Sequence, residues 1–228
     1  DNISAKHLKQ FSEQSISVLP NLKSASPPYR HPDIQRWSGV LRGRAVWAVG
    51  SAHWPDIEMA VAAHKQIVQH TPSSVLIILP RDLEDIPRIA PLAQSAGLTI
   101  TDTPDTPAPI IVEQQYGRSG GWYDLAQTAL IGGGFGTIGG HNPWEAAHSN
   151  CLILSGPHTA HFQDEYNALH AGQAAIKVYN TCDIVQNVFS VNATAYTQNA
   201  QQVLQQRASE LTPMFDQIYE TILSEYEG

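Results

Sequence analysis

The segment Ile131-Gly-Gly-Gly-Phe-Gly-Thr-Ile-Gly-Gly-His-Asn-Pro-Trp-Glu145 has the residue types to hold an anionic ligand against backbone. Six glycines fall between Gly132 and Gly140, ends included, and each removes a Cβ that would keep a ligand away. Asn142-Pro143 reads as a helix start, which offers unpaired N–H groups and the positive end of a dipole. Glu145 has two readings. With Asn142 as N-cap and Pro143 at the first helical position, it completes a capping pattern. Alternatively it faces a cleft and accepts hydrogen bonds from ribose hydroxyls, the reading favoured by the glycines beside it.

Three further loops could join this one. In Gly50-Ser51-Ala52-His53 the serine can cap the following helix and leave N–H groups for a phosphate. Arg81 follows Pro80 at the end of an apolar run, where a guanidinium could reach a ligand. Ser155-Gly156-Pro157-His158 forms a turn after another apolar run. His158 and His161 are spaced like a metal pair, and His141 could join them. No carboxylate or cysteine partners them at a suitable spacing, so no metal is expected.

These loops need a frame. Continuous apolar runs at Ala45–Val49, Val75–Leu79, Ala129–Ile131, Leu152–Leu154 and Ala175–Val178 read as parallel strands covered on both faces. Leu98–Ile100 and Ala108–Val112 are shorter strands. Between them lie helical patterns at Pro55–Gln69, Ile86–Ser95, Trp122–Gln127, Pro143–Ser149 and His161–Ala171. The first carries Ile57, Ala60, Val61, His64, Ile67 and Val68 on one face. This alternation predicts an α/β, Rossmann-like, doubly wound and mostly parallel sheet, with ligands outside the carboxyl ends of its strands. All four loops lie at such ends. Ahead of the sheet, Ser4–Glu13 reads as helix, Ile16–Leu19 as strand, Asn21–His31 as a proline-rich linker and Asp33–Leu41 as helix. Extra helices follow at Thr181–Val191, Ala193–Glu210 and Pro213–Tyr226. The division is thus 1–43 lead-in and linker, 44–190 nucleotide-binding domain, and 191–228 C-terminal helices.

Bulk properties narrow the functions. Net charge is −8 with 13 basic residues scattered along the chain, which argues against a nucleic-acid partner. Two separated cysteines form no disulfide framework and fit a reducing cytosol. No apolar run is long enough to span a bilayer. Asp1 in place of an initiator Met reads as the start of an excised piece. The loops match neither a P-loop nor a first-turn dinucleotide fingerprint. The five tryptophans are expected in the core.

Taken together, Ser51-Ala52-His53, Pro80-Arg81, Gly132-Gly133, Gly139-Gly140-His141-Asn142 with Glu145, and Gly156-Pro157-His158 with Phe162 resemble the C-terminal half of 3-deoxy-D-manno-octulosonic acid (Kdo) transferases. Leu19-Pro-Asn-Leu-Lys23 resembles the segment joining that family's halves. The resemblance runs from about residue 4 to about 190, and Gly-Gly-His-Asn-x-x-Glu is its most specific part. It implies a GT-B glycosyltransferase that moves Kdo from CMP-Kdo to lipid A precursor in lipopolysaccharide biosynthesis, without a metal or other cofactor, at the cytoplasmic face of the inner membrane. It implies that Ser51 and adjacent backbone hold phosphate and that Arg81 borders the cytosine. Gly132, Gly133, Gly139 and Gly140 would admit the nucleotide, and Asn142 and Glu145 would engage phosphate and ribose. Ala52, His53, His141, Gly156 and His158 complete the implied donor site. The general base, the acceptor site and the membrane anchor belong to the family's N-terminal half, so this chain alone is expected to bind donor without turnover. Two alternatives stay open: a UDP-sugar glycosyltransferase or UDP-sugar 2-epimerase of the same fold, and a diverged docking module. The apolar face of the last helix is open to local packing, to a second domain or to a dimer.

Overall fold

The computed structural model describes residues 2–12, 16, 18, 22–106 and 108–226. Seven strands form one sheet: β1 (Val46–Ala52), β2 (Val75–Pro80), β3 (Ile100–Thr101), β4 (Ile110–Val112), β5 (Thr128–Ile131), β6 (Leu152–Ser155) and β7 (Ala175–Lys177). Their order is β3-β4-β2-β1-β5-β6-β7 and every pairing is parallel. The chain winds outward from β1 through β2 to one edge. It then crosses back to lay β5 on the other side of β1. The switch point between β1 and β5 is where such sheets open a crevice for a ligand.

The helices are α1 (Asn2–Leu8), α2 (Ser38–Leu41), α3 (Trp54–His70), α4 (Ile86–Ser95), α5 (Ser119–Leu125), α6 (Trp144–His148), α7 (Gln163–Ala171), α8 (Thr181–Asn187) and α9 (Ala193–Tyr226). Every residue of β2, β4, β5 and β6 is buried, as expected for strands covered on both faces. α3 buries Ile57, Ala60, Val61, His64 and Ile67, the face its periodicity predicts. These side chains meet Trp47, Val49, Leu76, Ile78, Leu130 and Leu154 in one core. Trp37, Trp47, Trp122 and Trp144 are fully buried. Trp54 is half-buried, with the Arg88 guanidinium 3.7 Å above its ring.

Several expectations shift. The segment expected as helix over Asp33–Leu41 begins as a 3₁₀ turn, Pro32–Trp37, before α2. α5 starts three residues earlier than expected, and its Gly120 and Gly121 pack where side chains would collide with Pro28 and Ile34. α1 stops at Leu8, where the chain tightens into turns through Gln10 and Phe11. Of the strand expected over Ile16–Leu19, Ile16 and Val18 are not in strand, while Ser17 and Leu19 lie outside the described residues. Of the joining segment Leu19–Lys23, the first three residues lie outside them as well. The break expected at Pro213 is absent, and α9 runs through it as one helix. Proline forfeits a single hydrogen bond there, and no glycine stands beside it to end the helix.

The chain divides into two compact units. Pro28–Val203 holds the whole sheet, and the residues up to Pro27 form the other with those from Leu204 onward. The second part of the proline-rich linker therefore belongs with the sheet. Trp37 packs on Trp122 at 5.2 Å between ring centroids, and Arg30 pairs with Asp124.

Candidate functional site

The loops singled out by sequence meet at one rim. At the end of β1 the register slips between Val49 and Ala52, and Ser51 takes a left-handed conformation, φ +50°. That slip is a bulge, a common means of re-aiming a strand end beside a site. Ala52 pairs with Pro80, and the Arg81 amide donates to the Ala52 carbonyl at 2.8 Å. On the other side Gly50 pairs with Ile131, and the Gly132 amide donates to the Gly50 carbonyl at 2.8 Å. Added carbon on Gly132 would strike the Ser51 carbonyl, so that glycine serves backbone approach between strands. The loops after β1, β2 and β5 are thereby stitched at the switch point.

Ser51 is not the helix cap. His53 caps α3, and its amide donates to the Asp56 carboxylate at 2.9 Å. Asp56 is fully buried, and the same carboxylate accepts from the Gly133 amide at 2.7 Å and from the Phe135 amide at 3.2 Å. The amino end of α3, expected to hold a phosphate, already holds this internal anion. Three backbone donors around one buried carboxylate compensate both its charge and the helix dipole. Asp56 is the anchor of the glycine loop, and sequence reading missed it. The sequence Pro55-Asp56 after a His cap carries a sign of it, an acid at the third helical position.

The rest of the loop folds on itself and on its neighbours. The amides of Gly139 and Gly140 donate to the Gly133 carbonyl at 3.1 and 2.9 Å. Gly139 and Gly140 have φ of +87° and +81°, the left-handed region that favours glycine. Gly134 and Gly156 lie backbone to backbone, and the His158 amide donates to the Gly134 carbonyl at 3.1 Å. A methyl group on Gly134 would sit 2.8 Å from Gly156 backbone atoms. Gly134→Ala and Gly156→Ala are therefore each expected to cost about 1–3 kcal/mol of stability from overpacking. Urea denaturation will read this as a lowered midpoint, and Gly136→Ala, with only the Pro55 side chain within 4 Å, should change it little. The His158 side chain is exposed.

His141 and His53 meet with Nε2 atoms 2.9 Å apart, and Nδ1 of His53 lies 3.2 Å from the Asp82 carboxylate. Burial pushes the His141 imidazole below its ordinary range, helped by His53, Arg81 and His161 and opposed by Asp56. Arg81 thus acts electrostatically on the glycine loop, and its carbonyl is held by the Tyr116 hydroxyl at 3.0 Å. The Tyr166 hydroxyl donates to the His141 carbonyl at 2.9 Å.

α6 begins one residue later than expected, with Pro143 as its N-cap, and the Asn142 Oδ1 accepts from the Trp144 amide at 3.2 Å. Asn142 Nδ2 is buried without a hydrogen-bond partner among the described residues, as is Trp144 Nε1. Glu145 does not close a capping box. Its Oε2 accepts from Ser119 Oγ of α5 at 2.6 Å, and its charge raises the pKa of Tyr123 behind burial as the larger cause. Tyr123 packs its hydroxyl where Gly50 lacks a Cβ, which ties Glu145 back to the end of β1. Phe135 is partly buried and packs against the hydrophobic core. Ser51, Ala52, His53, Arg81, Gly132, Gly133, Gly139, Gly140, His141, Asn142, Glu145, Gly156 and His158 are all on this rim. Asp82, Ser119 and Tyr123 join them without having been singled out by sequence. Among the described residues, no group of three His, Cys, Asp or Glu side chains is placed to hold a metal ion.

The chain is similar to 3-deoxy-D-manno-octulosonic acid transferases of Rickettsia felis, 29% identical over 215 residues, and Aquifex aeolicus, 28% over 178. The matches cover 86% and 78% of this chain and 46% and 48% of those proteins, so the chain spans about half the length of these relatives. No family model matches. Among solved structures, the fold is similar to the C-terminal CMP-Kdo binding domain of WaaA from Acinetobacter baumannii, with TM-score 0.64 and 20% identity over 78% of this chain and 97% of that one. It is also similar to WaaG, a glycosyltransferase involved in lipopolysaccharide biosynthesis, with TM-score 0.56 and 10% identity over 78% of this chain and 51% of that one. The Rossmann-like sheet is the fold of a GT-B C-terminal domain.

Proposed function

We propose that this chain, a relative of the 3-deoxy-D-manno-octulosonic acid transferases, is the donor-binding domain of such an enzyme and holds CMP-Kdo at the β1–β5 switch point. The observation that carries this reading is the convergence itself. Loops about 30 to 90 residues apart in sequence are joined within hydrogen-bond distance at the carboxyl ends of β1, β2 and β5.

The residues divide the work by chemistry. Asn142 has its oxygen fixed by the Trp144 amide, which leaves a buried Nδ2 donor with no described partner. A buried donor of this kind calls for a partner, and a phosphoryl oxygen supplies one. Glu145 keeps Oε1 for a ribose hydroxyl while Ser119 holds Oε2. Arg81, exposed at the rim, borders the base. As the sugar leaves, charge develops on the CMP phosphate. Asn142 and nearby cationic side chains would stabilise it without a metal ion, because donors already held in place need little reorganisation at that moment. The acceptor, the general base and any membrane contact are assigned to a second half outside this chain. Among the described residues, no helix is long and apolar enough to cross a membrane.

Calorimetric titration with CMP, UMP and AMP tests the reading. CMP is expected to bind most tightly, with no turnover of CMP-Kdo by the chain alone. A preference for UMP would move the chain to the UDP-sugar enzymes of this fold. Glu145→Ala should weaken CMP about tenfold, the loss of one charged hydrogen bond. Equal affinity for CMP and 2′,3′-dideoxy-CMP in the wild type would remove the ribose role from Glu145.

A further inference from the structure

A carboxylate, two imidazoles and an open nitrogen form a line through the site. Asp82 lies 3.2 Å from Nδ1 of His53, and Nε2 of His53 lies 2.9 Å from Nε2 of His141. Asp82, 59% exposed, accepts a hydrogen bond. The proton between it and His53 therefore sits on Nδ1, which leaves His53 Nε2 as an acceptor in the neutral ring. His141 must then donate from its own Nε2. In this arrangement of protons Nδ1 is left with a lone pair and no hydrogen-bond partner among the described residues. Gly133 gives this ring its place, since a side chain there would lie 3.0 Å from His141 Cδ2.

We propose that His141 is a proton-gated contact for the phosphoryl group of the donor, and that His53 and Asp82 position it. The proposal rests on the donor-site reading above and deepens it. Without an anion the line is Asp82 carboxylate, His53 Nδ1–H, His53 Nε2, His141 Nε2–H and a bare Nδ1. When a phosphoryl oxygen arrives, one proton from solvent adds to His141 Nδ1. That new N–H donates to the phosphoryl oxygen, and no other proton moves. Neutral His141 would meet the anion lone pair to lone pair, so binding and protonation are linked.

The surrounding charges suit this. Arg81 and His161 oppose a positive charge on His141 in the free protein, as does His53 when protonated, while Asp56 favours it. Burial works in the same sense as the cations. An arriving dianion reverses the balance. The Tyr166 hydroxyl donates to the His141 carbonyl, and burial keeps it from titrating in the working range. The site therefore takes up a proton on binding, and affinity should fall as pH rises, by at most about tenfold per unit for one proton.

Long-range 1H–15N correlation spectra of the imidazoles, recorded at pH 7.0 with and without inorganic phosphate, test this directly. In the free protein His53 should show the Nδ1–H tautomer and His141 the Nε2–H tautomer. Saturating phosphate should move the His141 nitrogens to imidazolium positions and leave His53 unprotonated at Nε2. Calorimetry of CMP in buffers of different ionisation enthalpy should then show net proton uptake, and His141→Gln should abolish it. Asp82→Asn, at an exposed side chain, should reduce the uptake without unfolding the protein. Cytidine should cause none. A His141 ring that stays neutral in saturating phosphate, or uptake unchanged in His141→Gln, overturns the proposal. Phosphate protonating His141 without any CMP binding would leave the anion contact standing and sink the donor assignment instead.

Discussion

Asp56→Ala is expected to destabilise the sheet unit by about 3–5 kcal/mol, a large share of the roughly 5–15 kcal/mol that holds a typical domain together. The side chain is fully buried, and it accepts from the amides of His53, Gly133 and Phe135 at 2.9, 2.7 and 3.2 Å. Removing it orphans these donors in a region with little access to water, at about 1–3 kcal/mol each before relaxation. Two of the three lie in the glycine loop and the third at the cap of α3. The damage should therefore concentrate where β5 leaves the sheet. Amide exchange at Gly133 and Phe135 should accelerate more than at the core strands. Asp56→Asn retains the shape and one acceptor but turns an N–H toward a backbone N–H, so it should lose about half as much. CMP affinity should fall in both variants although Asp56 makes no contact with the proposed ligand. Urea unfolding and amide exchange check this, and an asparagine variant as stable as wild type would show that the charge is not what fixes the loop.

This residue also marks where sequence reading ran short. The strands were legible because each is a continuous apolar run, and parallel strands buried on both faces need such runs. Leu152–Ser155 and Val75–Pro80 fall within one residue of their expected bounds. The glycine loop was legible because a high density of glycine has few structural uses other than close backbone approach. Its anchor was not, because an acid at the third helical position usually caps its own helix. Nothing local tells that Asp56 reaches a loop 77 residues away. The Ser51 error has the same origin. A serine a few residues before a helix is a fair cap by type, but here Ser51 sits in the bulge at the end of β1 and His53 takes the cap of α3. The Asp82–His53–His141 line joins three chain segments and could not have been read from any one of them. Sequence periodicity specifies elements, while side chains that cross between elements depend on register.

The second large effect is a loss of stability in mild acid, and His64 should be its main single source. Its placement on the apolar face of α3 is explained by two hydrogen bonds. Trp47 Nε1 donates to His64 Nδ1 at 3.1 Å, and His64 Nε2 lies 2.9 Å from the Pro109 carbonyl, to which it must donate. Only the neutral ring with hydrogen on Nε2 satisfies both, because a proton on Nδ1 would face the indole N–H. Burial, with a smaller contribution from Arg44 and against the Pro109 bond, lowers the pKa to about 4. In the unfolded chain it is about 6.5. Between those values the unfolded state binds more protons, so stability is full above about pH 6.5 and falls as pH drops toward 4. The loss should reach about 2 kcal/mol at pH 5. His64→Gln can accept from Trp47 and donate to Pro109 without titrating. It should start less stable at pH 7.5, through imperfect packing, and lose about 2 kcal/mol less than wild type on going to pH 5. Equal losses in the two proteins, read by urea unfolding at both pH values, would exclude His64 as the source. The consequence reaches the site through α3, which carries His64 in its middle and His53 and Asp56 at its amino end. Charging His64 pries α3 from β1 and from the chain entering β4, and with it the helix end on which the glycine loop is hung.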